Sequence, residues 1–502
     1  MLRRNVLPHS PLSGANAHTL LRPFIHPFIR KKTALLRVLL ACLLAGLVSG
    51  CAVGKDYRRP QVEVPHGWRV EYDAAAELAN STWWEQFRDP VLNELIKTAL
   101  TENKDLLSAA ARVEEYAGRL QAAQSGFYPQ VEYGANGGRS QKSLERVTFL
   151  PVGGDRAQDT FQLSSSAAWE LDVWGRLRRA TEAARAELLA AEESRQAVVL
   201  TLVSSVATGY LDLLSLDRQL AIARQTLLAR EEFLRLFERK LEGGQISGLE
   251  VAQVRAAYEQ IASFVPVIEQ QIAVQENALS VLLGRNPGVI NRGSTLDTLA
   301  MPGIPQGLPS ALLERRPDIR YKEQLLIAAN ARIGVVKSQY FPSLSLTGLF
   351  GFASGELSDL LQNSANFWRL AAGAVGPLFT GGRIKGEVRQ AEAQHQELLY
   401  GYLGTIQTAF REVEDSLVAI RKLSELLAME KRRIGTLKDK ARLAYDRYDA
   451  KYSGYLEVVD AEKDLYNAEI GCVAAQHDLL AAIVSAYKAM GGGWVTEAAQ
   501  RR

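Results

Sequence analysis

At 502 residues the chain has room for two or more ordinary domains, and its formal charge of +3 is unevenly spread. Seven basic residues and no acidic one fall in the first 50 positions, so the remainder carries +3 less 7, a net of −4, with both signs interspersed. That excludes the clustered basic face a nucleic-acid binder needs, and three cysteines without a CxxC exclude a disulfide framework.

The chain opens on Arg3, Arg4, Arg22, Arg30, Lys31, Lys32 and Arg37, followed by an apolar run from Val38 to Val48 and then small residues. A run of about 11 is far short of the ~20 that span a bilayer, and the whole pattern predicts a signal peptide over 1–50. Its end, Val48-Ser49-Gly50-Cys51, is similar to a bacterial lipobox, which implies that Cys51 is acylated and becomes the mature N-terminus. Ala52, where Asp would retain such a protein, implies sorting to the outer membrane. Each buried methylene of an acyl chain contributes about 0.8 kcal/mol, so several chains make a stable anchor. No cofactor beyond that covalent lipid on Cys51 is expected.

Past Cys51 one pattern occurs twice. Arg119 to Pro129 (RLQAAQSGFYP) recurs as Arg332 to Pro342 (RIGVVKSQYFP), Gly175-Arg176 as Gly382-Arg383, Ser247-Gly248 as Ser453-Gly454, and Gly284 as Gly491. A unit of roughly 200 residues is too long for a solenoid repeat and reads as a duplicated domain-sized element. The copies are assigned to 51–285 and 317–494, with a linker over 286–316.

Each copy begins with a leading helix, about 90–127 and 317–340. A stretch that cannot be helical follows, about 128–172 and 341–380. Phe161, Leu163, Trp169 and Leu171 alternate there with Gln162, Ser164, Ser166 and Glu170, and Leu344, Leu346, Trp368 and Leu370 mark the second copy. Period two predicts hairpins suited to a membrane barrel. Long Pro-free helices come next, about 176–243 and 383–449. In the first, Val199, Val203, Val206, Tyr210, Leu213, Leu220 and Leu227 keep a coiled-coil-like spacing. Some 66 residues at ~1.5 Å each make about 100 Å of helix, too long for a globular core. Turns and shorter return helices, about 247–284 and 455–490, close the copies.

Two hairpins supply four strands. Bacterial barrels start at eight, and lipid does not tolerate an open sheet edge. The fold predicted is therefore mainly α with a transmembrane β part, completed by oligomerisation. A homotrimer supplies twelve strands.

The chain resembles the outer-membrane factor family of tripartite efflux systems, the TolC-like proteins, and their lipoprotein branch in particular. The resemblance rests on Cys51 with Asp56-Tyr57 and Pro60, Trp83-Trp84 with Phe87 and Asp89-Pro90, Arg315-Arg316-Pro317-Asp318-Ile319, Phe341-Pro342, Phe379-Thr380-Gly381-Gly382-Arg383, and Tyr455 to Ala461. It implies a trimeric twelve-stranded outer-membrane β-barrel, inserted in outer-membrane lipid and continuous with a long periplasmic α-helical barrel. A mixed equatorial belt built near 60–88, 286–316 and the C-terminus would surround it. The implied partners are a periplasmic adaptor (membrane fusion protein) and an inner-membrane transporter of the resistance-nodulation-division class.

Nothing in the sequence points to catalysis. Past Cys51 the only histidines are His66, His395 and His477, far apart, and there is no metal-ligand spacing, GxSxG, P-loop or HExxH. The chain reads as a passive duct for drugs or other small molecules, gated at its periplasmic tip. Two rival readings are a duct for protein export, as in type I secretion, and a non-conducting structural lipoprotein. The candidate gate is the return from the second long helix. Glu457 and Asp460, three apart, share a helix face, and three copies of that face would form a carboxylate ring of the kind that lines cation-favouring pores. An ordinary solvated face paired to neighbouring Arg or Lys is the alternative. Glu250 is the counterpart of Glu457. By resemblance, Tyr448 and Glu250 help tie the helices shut and Leu456 narrows the passage. Two departures stand out: the turn reads Asp449-Ala450-Lys451 where the family often has Gly, and Gln253 stands opposite Asp460.

Overall fold

The computed structural model describes residues 52–65, 67–70, 82–141, 143, 157–304 and 309–492. The signal peptide expected over 1–50, Cys51, His66 and the end of the second copy past 492 lie outside the described residues. The chain divides into two compact units. One is built on Phe127–Arg178 and Lys337–Phe379, the other on Gly54–Gly126, Arg179–Val336 and Thr380–Arg502.

The first unit is one four-stranded antiparallel sheet, β1 (Gln130–Gln141), β2 (Ala157–Leu171), β3 (Ser343–Ser354) and β4 (Asn366–Val375), paired in the order β1-β2-β3-β4. Because cross-strand partners share a face, the register sorts the side chains. Val131, Tyr133, Leu163, Trp169, Leu346, Phe350, Trp368 and Leu370 lie on one face, and Glu132, Gly134, Ser164, Ser166, Thr347, Gly351 and Arg369 on the other. The apolar face is exposed: Tyr133 is 91% accessible and Trp368 71%, as expected of a surface that meets lipid. At one end of the sheet Trp174 stacks on Phe341 at 4.7 Å and donates from Nε1 to the Pro342 carbonyl at 2.8 Å. Nearby, Trp169 Nε1 donates to the Phe127 carbonyl. β2 pairs with β3, so the seam between the duplicated copies lies inside the sheet, while β1 and β4 each have one strand neighbour.

The second unit holds the helices: α1 (Pro90–Glu102), α2 (Lys104–Ser125), α3 (Arg176–Glu242, whose first turn belongs to the other unit), α4 (Gly248–Leu282), α5 (Pro317–Ser338), α6 (Arg383–Asp449) and α7 (Leu456–Ala489). The two long helices, α3 and α6, have 67 residues each. The leading helix expected over about 90–127 is two helices. Asn103 adopts an extended conformation (ψ 129°), ends α1 and caps α2, its Oδ1 accepting from Leu106 N at 3.0 Å while its Nδ2 donates to the Leu282 carbonyl at 2.9 Å. Composition hides this break because Asn103 is set by a residue about 180 positions away. α4 also carries Pro266 inside the helix, which removes one backbone donor.

The main core gathers Trp83, Phe87, Leu92, Tyr210, Leu211, Ile290, Leu296 and Tyr487. Trp83 stacks on Tyr487 at 5.0 Å, so the segment before α1 is wedged against α7. Asp89 is fully buried at the start of α1, its Oδ1 accepting from Val91 and Leu92 N and its Oδ2 from Tyr210 Oη and Ser294 N. The arm after Cys51 is also fixed: Arg179 pairs with Asp56, and Arg59 forks onto Glu323 of α5.

Candidate functional site

The sequence-predicted site residues come together where the long helices turn into their return helices. Both turns end in the same hydrogen-bond pattern. Gly244 N donates to Leu241 O and Gln245 N to Lys240 O, each at 2.9 Å; Lys451 N donates to Tyr448 O and Tyr452 N to Arg447 O, also at 2.9 Å. These are paired Schellman closures, which need a left-handed residue after the helix. Gly244 supplies it at φ +66°, and Lys451 holds the equivalent place at φ +62°. The missing turn glycine is thus a strained lysine, not a different turn. Lys451→Gly should raise the unfolding free energy by about 1 kcal/mol, the left-handed penalty of a residue with a Cβ. Thermal melting of the purified protein in detergent checks this.

After the turns the copies diverge. Ser247 and Glu250 form a full capping box: Glu250 Oε2 accepts from Ser247 N at 2.9 Å, and Ser247 Oγ accepts from Glu250 N at 3.3 Å. The Glu250 carboxylate is therefore engaged locally at the start of α4. In the second copy Tyr455 stands at the helix start without a side-chain cap, and Glu457 pairs instead with Arg447 at 3.5 Å. Both side chains of that pair are more than half exposed, so its net contribution is small. Glu457 and Asp460 share an open groove of about 700 Å³ with Thr436, Asp439, Lys440, Leu443, Ala444 and Arg447. The lining sets three carboxylates, Glu457, Asp460 and Asp439, against two cations, Lys440 and Arg447, a mixed lining within one chain. Leu456 is 53% exposed at the tip of α7.

Tyr448 is half-buried. It stacks on Phe237 of α3 at 5.9 Å and meets Tyr455 edge-on at 5.2 Å, while Phe237 and Tyr455 lie 4.5 Å apart. Burial, then the Glu250 charge, raises the Tyr448 phenol above its ordinary range, so it stays protonated. Around this knot, Val251, Val254, Ala444, Val458 and Ala461 draw α3, α4, α6 and α7 into one small core. Phe237 is the member that sequence reading missed. It is fully buried, yet its counterpart 207 positions on is Ala444, so comparing the copies does not flag it. Its signal is the Phe233, Leu234, Phe237 spacing on α3. Among the described residues no group of three or more His, Cys, Asp or Glu is arranged to hold a metal ion.

The family model described as outer membrane efflux protein matches residues 95–285 and 308–492. The toluene efflux pump outer membrane protein TtgF of Pseudomonas putida is 34% identical over 458 residues, covering 89% of this chain and 94% of that protein. The cation efflux system protein CusC of Escherichia coli is 33% identical over 452 residues, covering 89% and 96%. Among solved structures, the open state of the Neisseria gonorrhoeae MtrE outer membrane channel superposes with a TM-score of 0.79 at 29% identity, covering 88% of this chain and 99% of that one. With both copies matched and about a third of the residues shared along nearly the full length of these relatives, the chain belongs to the outer membrane efflux protein family and serves in the outer membrane of a Gram-negative bacterium as the channel component of an efflux system.

Proposed function

We propose that the chain is a passive exit duct that three copies complete. The observation that carries this reading is the four-stranded sheet with one exposed apolar face and an open edge at β1 and at β4. An open edge in lipid leaves backbone donors and acceptors unsatisfied at several kcal/mol each, so β4 must pair with β1 of a neighbour. Three chains give twelve strands. The duct is held by a lipid on Cys51 and receives cargo from an inner-membrane transporter of the resistance-nodulation-division class through a periplasmic adaptor. Relatives named for toluene and for cations show how widely cargo varies on this scaffold, and a duct without a binding site leaves that choice to the transporter. Small molecules are the cargo class this reading commits to.

The gate is the tip. Tyr448, Leu456, Glu457 and Asp460 narrow it, and Glu250 shapes its neighbouring turn. Replacing Leu456 and Glu457 together with Ser should raise single-channel conductance several-fold in planar bilayers by removing the exposed apolar tip and the Arg447 pair. Wild-type conductance in the double variant would refute the gate, and absence of any pore in wild-type protein would refute the duct. Deleting the gene should increase sensitivity to small toxic compounds and leave the secreted proteins unchanged, which separates drug export from protein export.

A further inference from the structure

The imidazole of His477 lies between the return helix of the second copy and the long helix of the first, with its side chain only 19% exposed. Each ring nitrogen faces a carboxylate: Nε2 is 2.6 Å from Asp212 Oδ1 on α3, and Nδ1 is 3.0 Å from Asp478 Oδ1 on α7 itself. A neutral imidazole has one N–H and one lone pair, so one of these contacts would set a lone pair against an anion. Only the imidazolium donates to both. Asp212 is the charged group facing the ring from α3, and Asp478 the one from its own helix. α4 contributes neutral Gln275, whose Nε2 donates to Gly209 O at 2.9 Å and approaches Asp212 Oδ2 at 3.4 Å. Arg292 of the linker pairs with Asp217 of α3 and Glu276 of α4, so these charges satisfy one another.

The duplication supplies a comparison inside the same chain. Shifted by the 207 residues that relate the two turns, Asp212 corresponds to Ala419 and His477 to Gln270, so neither counterpart carries a charge. A second ionic contact between the same two helices, buried Arg230 with Glu462 at 4.0 Å, has Leu437 and Arg255 as counterparts, and Arg255 pairs with Glu238 of α3 instead. Charge therefore fastens α7 to α3 through residues that the other copy does not repeat.

We propose that His477 and Asp212 form a proton-dependent fastener that holds α7, the helix carrying Leu456, Glu457 and Asp460, against α3. This deepens the gate reading and rests on it for its effect on conductance. The hydrogen bond to Asp212 raises the imidazole above the usual histidine range, with burial opposing and Asp478 adding to the rise. A raised folded value means that the fastener is fully closed below the unfolded pKa of about 6.5 and is lost as pH rises through the folded value. Its working window lies above about pH 6.5. For a single proton, the closed-to-released ratio falls by up to about tenfold per pH unit.

In planar bilayers between about pH 6 and pH 9, the wild-type channel should spend more time at the high-conductance level as pH rises. His477→Gln should flatten that slope. His477→Lys, which keeps a charge opposite Asp212, should hold conductance low throughout and carries the comparison if His477→Gln fails to insert. Equal slopes in wild type and variant, or no slope in wild type, overturn the proposal. Melting in detergent reads the fastener without a pore: wild type should lose its Tm advantage over His477→Gln between the same pH limits. A Tm advantage that is lost with rising pH in a protein showing no conductance counts against the gate and for the fastener, whereas conductance with no Tm difference, or with one that does not change with pH, counts against the fastener alone.

Discussion

Gly284→Ala should lower the stability of the helical unit by at least about 4 kcal/mol, among the largest effects a single added methyl can have. Two costs combine. Gly284 ends α4 at φ +73°, a conformation that costs a residue with a Cβ about 1–2 kcal/mol. The added Cβ would also sit 2.1 Å from the Glu102 carbonyl oxygen and 3.1 Å from Asn103 N, so it strikes backbone on the α1–α2 junction rather than a side chain that can turn away. Relief requires parting α4 from that junction, which breaks the Asn103 bond to Leu282. Two controls separate the terms. Gly244→Ala, at φ +66° in open space, should show the conformational cost alone, and Gly288→Ala, with nothing nearer than 4.0 Å, should show almost none. Folded protein recovered from outer membranes at about 37 °C and melting in detergent are the measurements. Gly284→Ala melting beside Gly288→Ala would overturn the account.

Asp89→Ala should cost a similar amount, about 4 kcal/mol, by a different route. The fully buried carboxylate serves four donors on three parts of the chain: Val91 N at 2.8 Å and Leu92 N at 3.1 Å on α1, Tyr210 Oη at 2.9 Å on α3, and Ser294 N at 2.9 Å in the linker. Tyr210 Oη in turn accepts from Gly293 N, and burial pushes its phenol up to about 12, so it remains a donor at any physiological pH. Removing the acceptor leaves several buried donors unpaired at about 1–3 kcal/mol each. Asp89→Asn keeps the shape but turns an N–H₂ group toward one pair of donors, so it should recover about half the loss. Tyr210→Phe should cost about 1–2 kcal/mol. Denaturant melts of the three variants in one detergent give the ranking, and Asp89→Ala equal to Tyr210→Phe would show that the carboxylate is not the hub.

The elements that repeat locally were legible before any coordinates. Long stretches without Pro around α3 and α6, and period-two alternation at Phe161 to Leu171, are short-range signals that the chain carries in its own spacing. The Asp89-Pro90 helix start is of the same kind, a capping side chain followed by Pro at the first helical position. What stayed hidden is what depends on a distant partner. Nothing near Asn103 announces the bond to Leu282, and nothing near Asp89 announces Tyr210 or Ser294. Phe237 reads as one more apolar helix position until Tyr448 and Tyr455 are set against it. His477, set aside for want of a neighbouring ligand in sequence, meets Asp212 across 265 positions. At the tip, resemblance singled out the turn after the second long helix, while the capping box of Glu250 and the left-handed Lys451 follow only from the structure.

The pairing of β2 with β3 changes what assembly demands. A protein with one hairpin per chain would have to gather six bodies to reach twelve strands, each losing translational and rotational freedom as it joined. Fusing two hairpins turns every second joint into an intramolecular step, whose partner is present at the high effective concentration that a tether provides. The number of free encounters falls from six chains to three. Fusion also releases the halves from identity. While both are products of one coding unit, an Asp facing a His in one half must recur in the other; once they are separate stretches of a single chain, Asp212 and His477 can stand opposite each other while their counterparts are Ala419 and Gln270. A double unit can thus carry a charged contact in one half that the other half need not repeat.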